Sequence, residues 1–136
     1  MAKHTPYIFS EDARSQAEFY TNALGGEIQS IMTFGQLPDA NETNKDRILH
    51  LSLMAAGVNI LMCDSVFEPI QHGNAIHLCL EFSTEEEAYE AFGKLAEGGN
   101  VKHPLGEAFW GALFGQIEDK FGVLWMITTE PKTGQS

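Results

Sequence analysis

The chain reads as an α+β protein made of two tandem βαβββ modules, joined in one curved mixed sheet with helices on the outer face. Three pairs of landmarks predict this, each recurring once at an offset of about 70 residues. Phe9-Ser10 and Phe82-Ser83 each close a short β run and open an acidic helix start. Gly25-Gly26 and Gly98-Gly99 each end the helix that follows. Gly57-Val58 and Gly122-Val123 each open the last strand of their half. The three pairs keep the same order in both halves, which a chance match does not readily give.

Taken in order, Tyr7 to Phe9 is a short strand. Ala13, Ala17, Tyr20 and Leu24 recur at spacings of three and four, one face of a helix that Ser10 or Asp12 can cap. Gly25-Gly26 stops it with a residue type that tolerates positive φ. Glu27 to Phe34 is a strand, and the polar segment from Gly35 to Asp46 is a loop. Ile48 to Met54 alternates and turns through Ala55-Ala56-Gly57 into Val58 to Cys63, a hairpin pattern. Residues 64–74, with Pro69 and Gly73, are linker-like.

The second module repeats the order. Ile76 to Phe82 is a strand. Ser83 with Glu86 three residues on has the form of a capping box. Ala88, Phe92 and Leu95 give the helix its apolar face, and Gly98-Gly99 closes it. Strands follow around Val101, from Phe109 to Ile117 and from Val123 to Thr128, with a frayed tail from Glu130 to Ser136. The expected organisation is one domain, 1–136, with module one at about 5–66, a linker at about 67–74 and module two at about 75–129.

Composition narrows the function classes. The chain is 43% hydrophobic and 20% charged, the balance of an ordinary globular protein. Nineteen acidic against eight basic residues give a net charge of −11, which repels nucleic acid phosphates. The apolar runs are strand-sized, far from the roughly 20 residues of a membrane span. The start MAKHTPYIF lacks a charged segment followed by a long apolar one, so a cytoplasmic location is expected. Cys63 and Cys79 form no Cys-x-x-Cys pair and read as small strand residues or pocket-lining thiols.

Several stretches carry a family resemblance. PYIFSEDARSQAEFYTNALGGEI resembles the opening of a vicinal oxygen chelate protein, in which an EFY-type helix runs into Leu-Gly-Gly. GEAFWGALFGQIEDKFGVLWMI, with His50-Leu51 and Leu61-Met62-Cys63-Asp64, is similar to the PhnB-like branch of that glyoxalase/bleomycin-resistance/dioxygenase superfamily. The branch is often labelled 3-demethylubiquinone-9 3-methyltransferase-like and tends to have Ser where Cys63 stands. The resemblance covers about residues 5 to 128. It implies a glyoxalase-like fold with a concave inner face for a small-molecule ligand, and a homodimer. Methyl transfer does not follow from it. A nucleotide-type methyl donor needs a Gly-rich turn between strand and helix in a larger doubly wound sheet, and here the Gly-Gly pairs end helices.

Metalloenzymes of the superfamily draw ligands from the first and last strand of each module. Carried over, those positions fall at Thr5 and Leu61 in module one, and at or next to His77 and at Met126 in module two. Leu61 has no donor atom, Met126 suits hard divalent ions poorly and Thr5 is weak. The expectation is a cavity with no metal at these positions and no cofactor.

Strand alternation sorts the remaining candidates. His77, Cys79 and Glu81 share one face of their strand, with Ile76, Leu78, Leu80 and Phe82 on the other. His50 and Ser52 oppose Leu49, Leu51 and Leu53, while Asn59, Leu61 and Cys63 share a face. The expected ligand pocket is lined by Tyr7, Leu61, Cys63, Cys79, Trp110, Phe114 and Met126. His50, His77 and Glu81 are the catalytic candidates, a His near a Glu being a workable base and orienting partner. Trp125 falls on the helix side, as core. Asp119-Lys120-Phe121-Gly122 reads as a tight structural turn. His72 and His103, beside Gly73 and Pro104, receive no role. Two function classes stay open: a binder of a small apolar or aromatic molecule, and a metal-independent enzyme acting on a small oxygenated substrate with His50 or His77 as acid/base. A third is an interaction module whose sheet edges pair with a second copy.

Overall fold

The computed structural model describes residues 1–131, so the expected frayed tail lies outside the described residues from 132 onward. The chain divides into two compact units, 1–71 and 72–136. The first runs β1 (Tyr7–Ser10), α1 (Ala13–Leu24), β2 (Gly26–Thr33), a 3-10 turn (Phe34–Gln36), β3 (Ile48–Ala55) and β4 (Val58–Asp64). The second runs β5 (Leu78–Phe82), α2 (Glu85–Leu95), β6 (Asn100–Glu107), β7 (Leu113–Glu118) and β8 (Leu124–Thr129). Each unit is therefore βαβββ. Hydrogen bonding makes two four-stranded sheets, ordered β1-β4-β3-β2 and β5-β8-β7-β6. In each, the first and last strands pair in parallel and the other pairs are antiparallel.

In the first unit α1 covers one sheet face. Ala13, Ala17 and Tyr20 are fully buried, together with Leu51, Leu53, Ala55, Ile60 and Met62 from β3 and β4. Alanines on the helix let the backbone approach the sheet closely, and Tyr20 fills the volume they leave. Ala23 is buried, and Leu24, expected on the packed face, is half-buried. Gln16 is also buried, its amide donating to the Tyr20 hydroxyl at 2.7 Å. In the second unit Ala88, Phe92 and Leu95 bury with Leu80, Ile117, Trp125 and Ile127. Phe92 presses where Gly115 has no side chain: a Cβ there would stand 2.6 Å from its ring.

Of the two expected caps of α1, Asp12 accepts from Ser15 N at 3.1 Å, while Ser10 Oγ accepts from Asp12 N. Three local expectations shift. The second cap is Thr84 rather than Ser83, paired with Glu87 three residues on; Ser83 lies in the bend between β5 and that cap. Strand β5 begins at Leu78, and Ile76, expected on the packed face, is 81% exposed. Strand β7 begins at Leu113, because Gly111 adopts φ 86 and turns the preceding segment away from the ladder.

Candidate functional site

Each sheet has a second face turned away from its own helix, and strand register decides which side chains share it. In the first unit Tyr7 pairs with Leu61 and Phe9 with Cys63 across β1 and β4. Leu61 pairs with Ser52 of β3, and Ser52 with Ser30 of β2; His50 pairs with Met32. This open face thus gathers Tyr7, Leu61, Cys63 and His50. The Tyr7 and His50 rings lie 6.1 Å apart, and Tyr7 and Phe9 5.6 Å. Asn59 donates to Ser52 Oγ at 3.0 Å, and the serine to Gln29 at 3.2 Å, so the polar members are tied to each other.

The Tyr7 hydroxyl is held against Cys63. Its pKa is pushed up to about 12, first by burial and then by the hydrogen bond to Cys63 and the charge of its thiolate form. The residue as a whole remains 45% exposed. Burial raises the Cys63 thiol as well, against the lowering effect of the Tyr7 hydroxyl, which donates to the sulfur. Cys79 is raised by burial and by the charge of Glu81. Both thiols are thus protonated at neutral pH, which suits wall residues better than nucleophiles.

In the second unit Cys79 pairs with Met126 and Glu81 with Thr128 across β5 and β8. Met126 pairs with Gln116, and Thr128 with Phe114, on β7. Trp110 joins this face through its ring, 5.6 Å from Phe114, and Phe109 extends the stack at 5.0 Å from Trp110. Trp110 is 44% exposed, whereas Trp125 is 1% exposed and donates its indole N–H to Asp119. His77 stands just before β5, half-buried, with Nδ1 buried and without a hydrogen-bond partner among the described residues. The candidates therefore fall into two sets: Tyr7, His50, Leu61 and Cys63 on one sheet, and Cys79, Glu81, Trp110, Phe114 and Met126 on the other, with His77 at its strand entrance. A groove of about 350 Å3, lined by Glu11 and residues 65–70, collects none of them.

Sequence reasoning passed over His103 and Gln116. Strand β6 continues through Pro104 to Glu107, and His103 pairs with Gln116 on the open face. Proline is tolerated there because β6 is an edge strand. An alternating run through a proline was the one signal available.

A model of the Glyoxalase/Bleomycin resistance protein/Dioxygenase superfamily matches residues 3–127. The chain belongs to that superfamily. It is 28% identical over 135 residues to Protein YjdN of Escherichia coli (strain K12), spanning 90% of this chain and 92% of the relative. The solved structure of protein PA1353 from Pseudomonas aeruginosa matches with a TM-score of 0.84 at 32% identity, over 97% of this chain and 100% of that one. A Bacillus cereus PhnB protein, described as a 3-demethylubiquinone-9 3-methyltransferase, matches at 0.79 and 29%, over 95% and 100%. The fosfomycin resistance protein FosX of Listeria monocytogenes matches at 0.68 and 14%, a likeness of fold alone.

Within the superfamily a metal is implied, and the side chains can be tested against it. Leu61 and Met126, equivalent positions on β4 and β8, pair with Tyr7 and Cys79. Thr5 and His77 each lie two residues before these partners, outside the strands. The paired positions thus offer a phenol kept neutral, an alkyl group, a protonated thiol and a thioether. That set does not fit a hard divalent ion. Among the described residues, no three His, Cys, Asp or Glu side chains converge in a metal-binding group.

Proposed function

We propose that this superfamily member binds a small apolar or aromatic molecule without a metal at the first- and last-strand positions. The observation that carries this reading is the pairing of Leu61 with Tyr7 and of Met126 with Cys79, which places apolar and aromatic side chains where chelating donors would be needed. Aromatic exposure supports it: Phe9 at 57%, Trp110 at 44% and Phe109 at 98% leave large ring surfaces in want of a partner.

The test is a titration with N-phenyl-1-naphthylamine, a neutral fluorescent aromatic. Saturable binding, unchanged by EDTA, is expected. Met126→Glu should weaken it about tenfold or more, since a carboxylate must be desolvated under the ligand. Binding that appears only with added Mn(II) or Zn(II) would reverse the reading.

A second reading, an enzyme on a small oxygenated substrate with His50 or His77 as acid/base, draws on the unpartnered Nδ1 of His77. Such a nitrogen is available to take or give a proton. Turnover abolished by His77→Ala would favour it. The proposal also includes a cytoplasmic homodimer. No helix among the described residues is long and apolar enough to cross a membrane. Phe67 at 88% and Ile76 at 81% exposure provide apolar surface for a second copy. Light scattering is expected to give twice the chain mass; a single chain mass at micromolar concentration would exclude the dimer.

A further inference from the structure

Strand register lines up four side chains in one cross-strand row on the open face of the second unit. His103 of β6 pairs with Gln116 of β7, Gln116 with Met126 of β8, and Met126 with Cys79 of β5. His103 is the member with a set orientation. Its Nδ1 lies 2.9 Å from the Pro104 carbonyl oxygen. Its ring stands at 61° to that of Phe114, centroids 5.3 Å apart. A carbonyl oxygen only accepts, so Nδ1 carries the proton, and in the neutral ring Nε2 presents a lone pair. From Phe114 the aromatic surface continues to Trp110 at 5.6 Å. An oriented acceptor therefore stands at one end of a ring-stacking wall.

We propose that His103 is the polar anchor of an aromatic-ligand site. Its Nε2 accepts a hydrogen bond from a hydroxyl carried on a small neutral aromatic ring, and Phe114 and Trp110 hold that ring. The ligand class is thus a phenol. This rests on the aromatic-binding reading above and adds the group the ligand must carry. Two observations favour a neutral donor over an anion. An anionic ligand would meet Glu81, which pairs with Thr128 beside Phe114, and a chain of net charge −11. Gln116, next to His103, supplies an amide that both donates and accepts, and so can complete the bonding of a hydroxyl oxygen.

The experiment is an NMR titration of the 15N-labelled full chain with p-cresol and with 4-methylanisole. The two probes are close in size, and the second has O–CH3 in place of O–H. The readout is the indole N–H of Trp110, with that of buried Trp125 as internal control. We expect p-cresol to bind about fivefold to tenfold more tightly, the effect of one net hydrogen bond. In His103→Phe, which keeps a ring in the row and removes the acceptor, that advantage should fall to within about twofold while 4-methylanisole binding is unchanged. Trp110→Ala, followed through backbone amides, should weaken both probes alike. Equal affinities in the unmodified protein, or an advantage that survives His103→Phe, would overturn the role of His103 and leave the aromatic wall standing. If neither probe shifts the Trp110 signal, the wall and the anchor both fall.

Discussion

Replacing Asp64 by Ala is expected to destabilise the protein by about 3–5 kcal/mol, within the range for leaving two buried N–H donors without an acceptor. Asp64 closes β4 and is 7% exposed. One carboxylate oxygen accepts from Ala13 N at 2.7 Å, at the first turn of α1, and the other from Ile48 N at 2.7 Å, at the start of β3. Arg47 Nε lies 3.4 Å from the second oxygen. The side chain therefore ties helix, hairpin and last strand together, and its loss orphans two buried N–H groups, while Arg47 keeps its bond to the Glu11 carbonyl. Module two contains the matched comparison. Leu113 N donates to Thr129 Oγ1 at 2.9 Å, across the same 16-residue separation. Thr129→Val removes a single neutral acceptor and should cost only about 1 kcal/mol. Urea unfolding reads both. An Asp64→Ala midpoint no lower than that of Thr129→Val would refute this account of the carboxylate.

Gly26→Ala should have an effect of similar size, about 3 kcal/mol or more, or leave no soluble protein. A Cβ at Gly26 would lie 1.9 Å from the Met54 carbonyl oxygen and 2.7 Å from its carbon. Both are backbone atoms of the adjacent strand, so no rotamer change relieves the clash and the β2–β3 ladder must open. Gly99 repeats the arrangement against Glu118 O at 2.2 Å. Gly25 is different. It has φ 77 with nothing within 4 Å of its Cβ position, so Gly25→Ala pays only the left-handed backbone cost of about 1–2 kcal/mol. Gly26 has φ 155, so its alanine variant carries backbone strain as well, and thermal unfolding of the two alanine variants reads the cost that the clash adds. Equal midpoints would mean that strand contact does not set the cost.

These glycines also show how far local pattern reaches. Two Gly-Gly pairs after two helices mark the repeat, and positive φ accounts for the first glycine of each pair, Gly25 and Gly98. The second glycine is required by a strand some 20 to 30 residues away, and no local rule contains that neighbour. The caps divide in the same way. A polar, acidic helix start is written at residues 83–87, but whether Ser83 or Thr84 caps depends on where β5 releases the chain.

The sequence by itself determined the two βαβββ modules, the helix-facing stripes, the core position of Trp125 and the faces of His50, Leu61, Cys63, Cys79, Glu81 and Met126. Periods of 3.6 and 2 are local properties and are legible residue by residue. Only the tertiary structure decided who stands beside whom. Tyr7 rather than Thr5 lies beside Leu61, Cys79 rather than His77 beside Met126, and His103 enters the row through a proline-bearing edge strand. Alternation assigns a side chain to a face, but its neighbours on that face come from other strands. Their register is fixed by ladder hydrogen bonds and bulges that join residues distant in the chain.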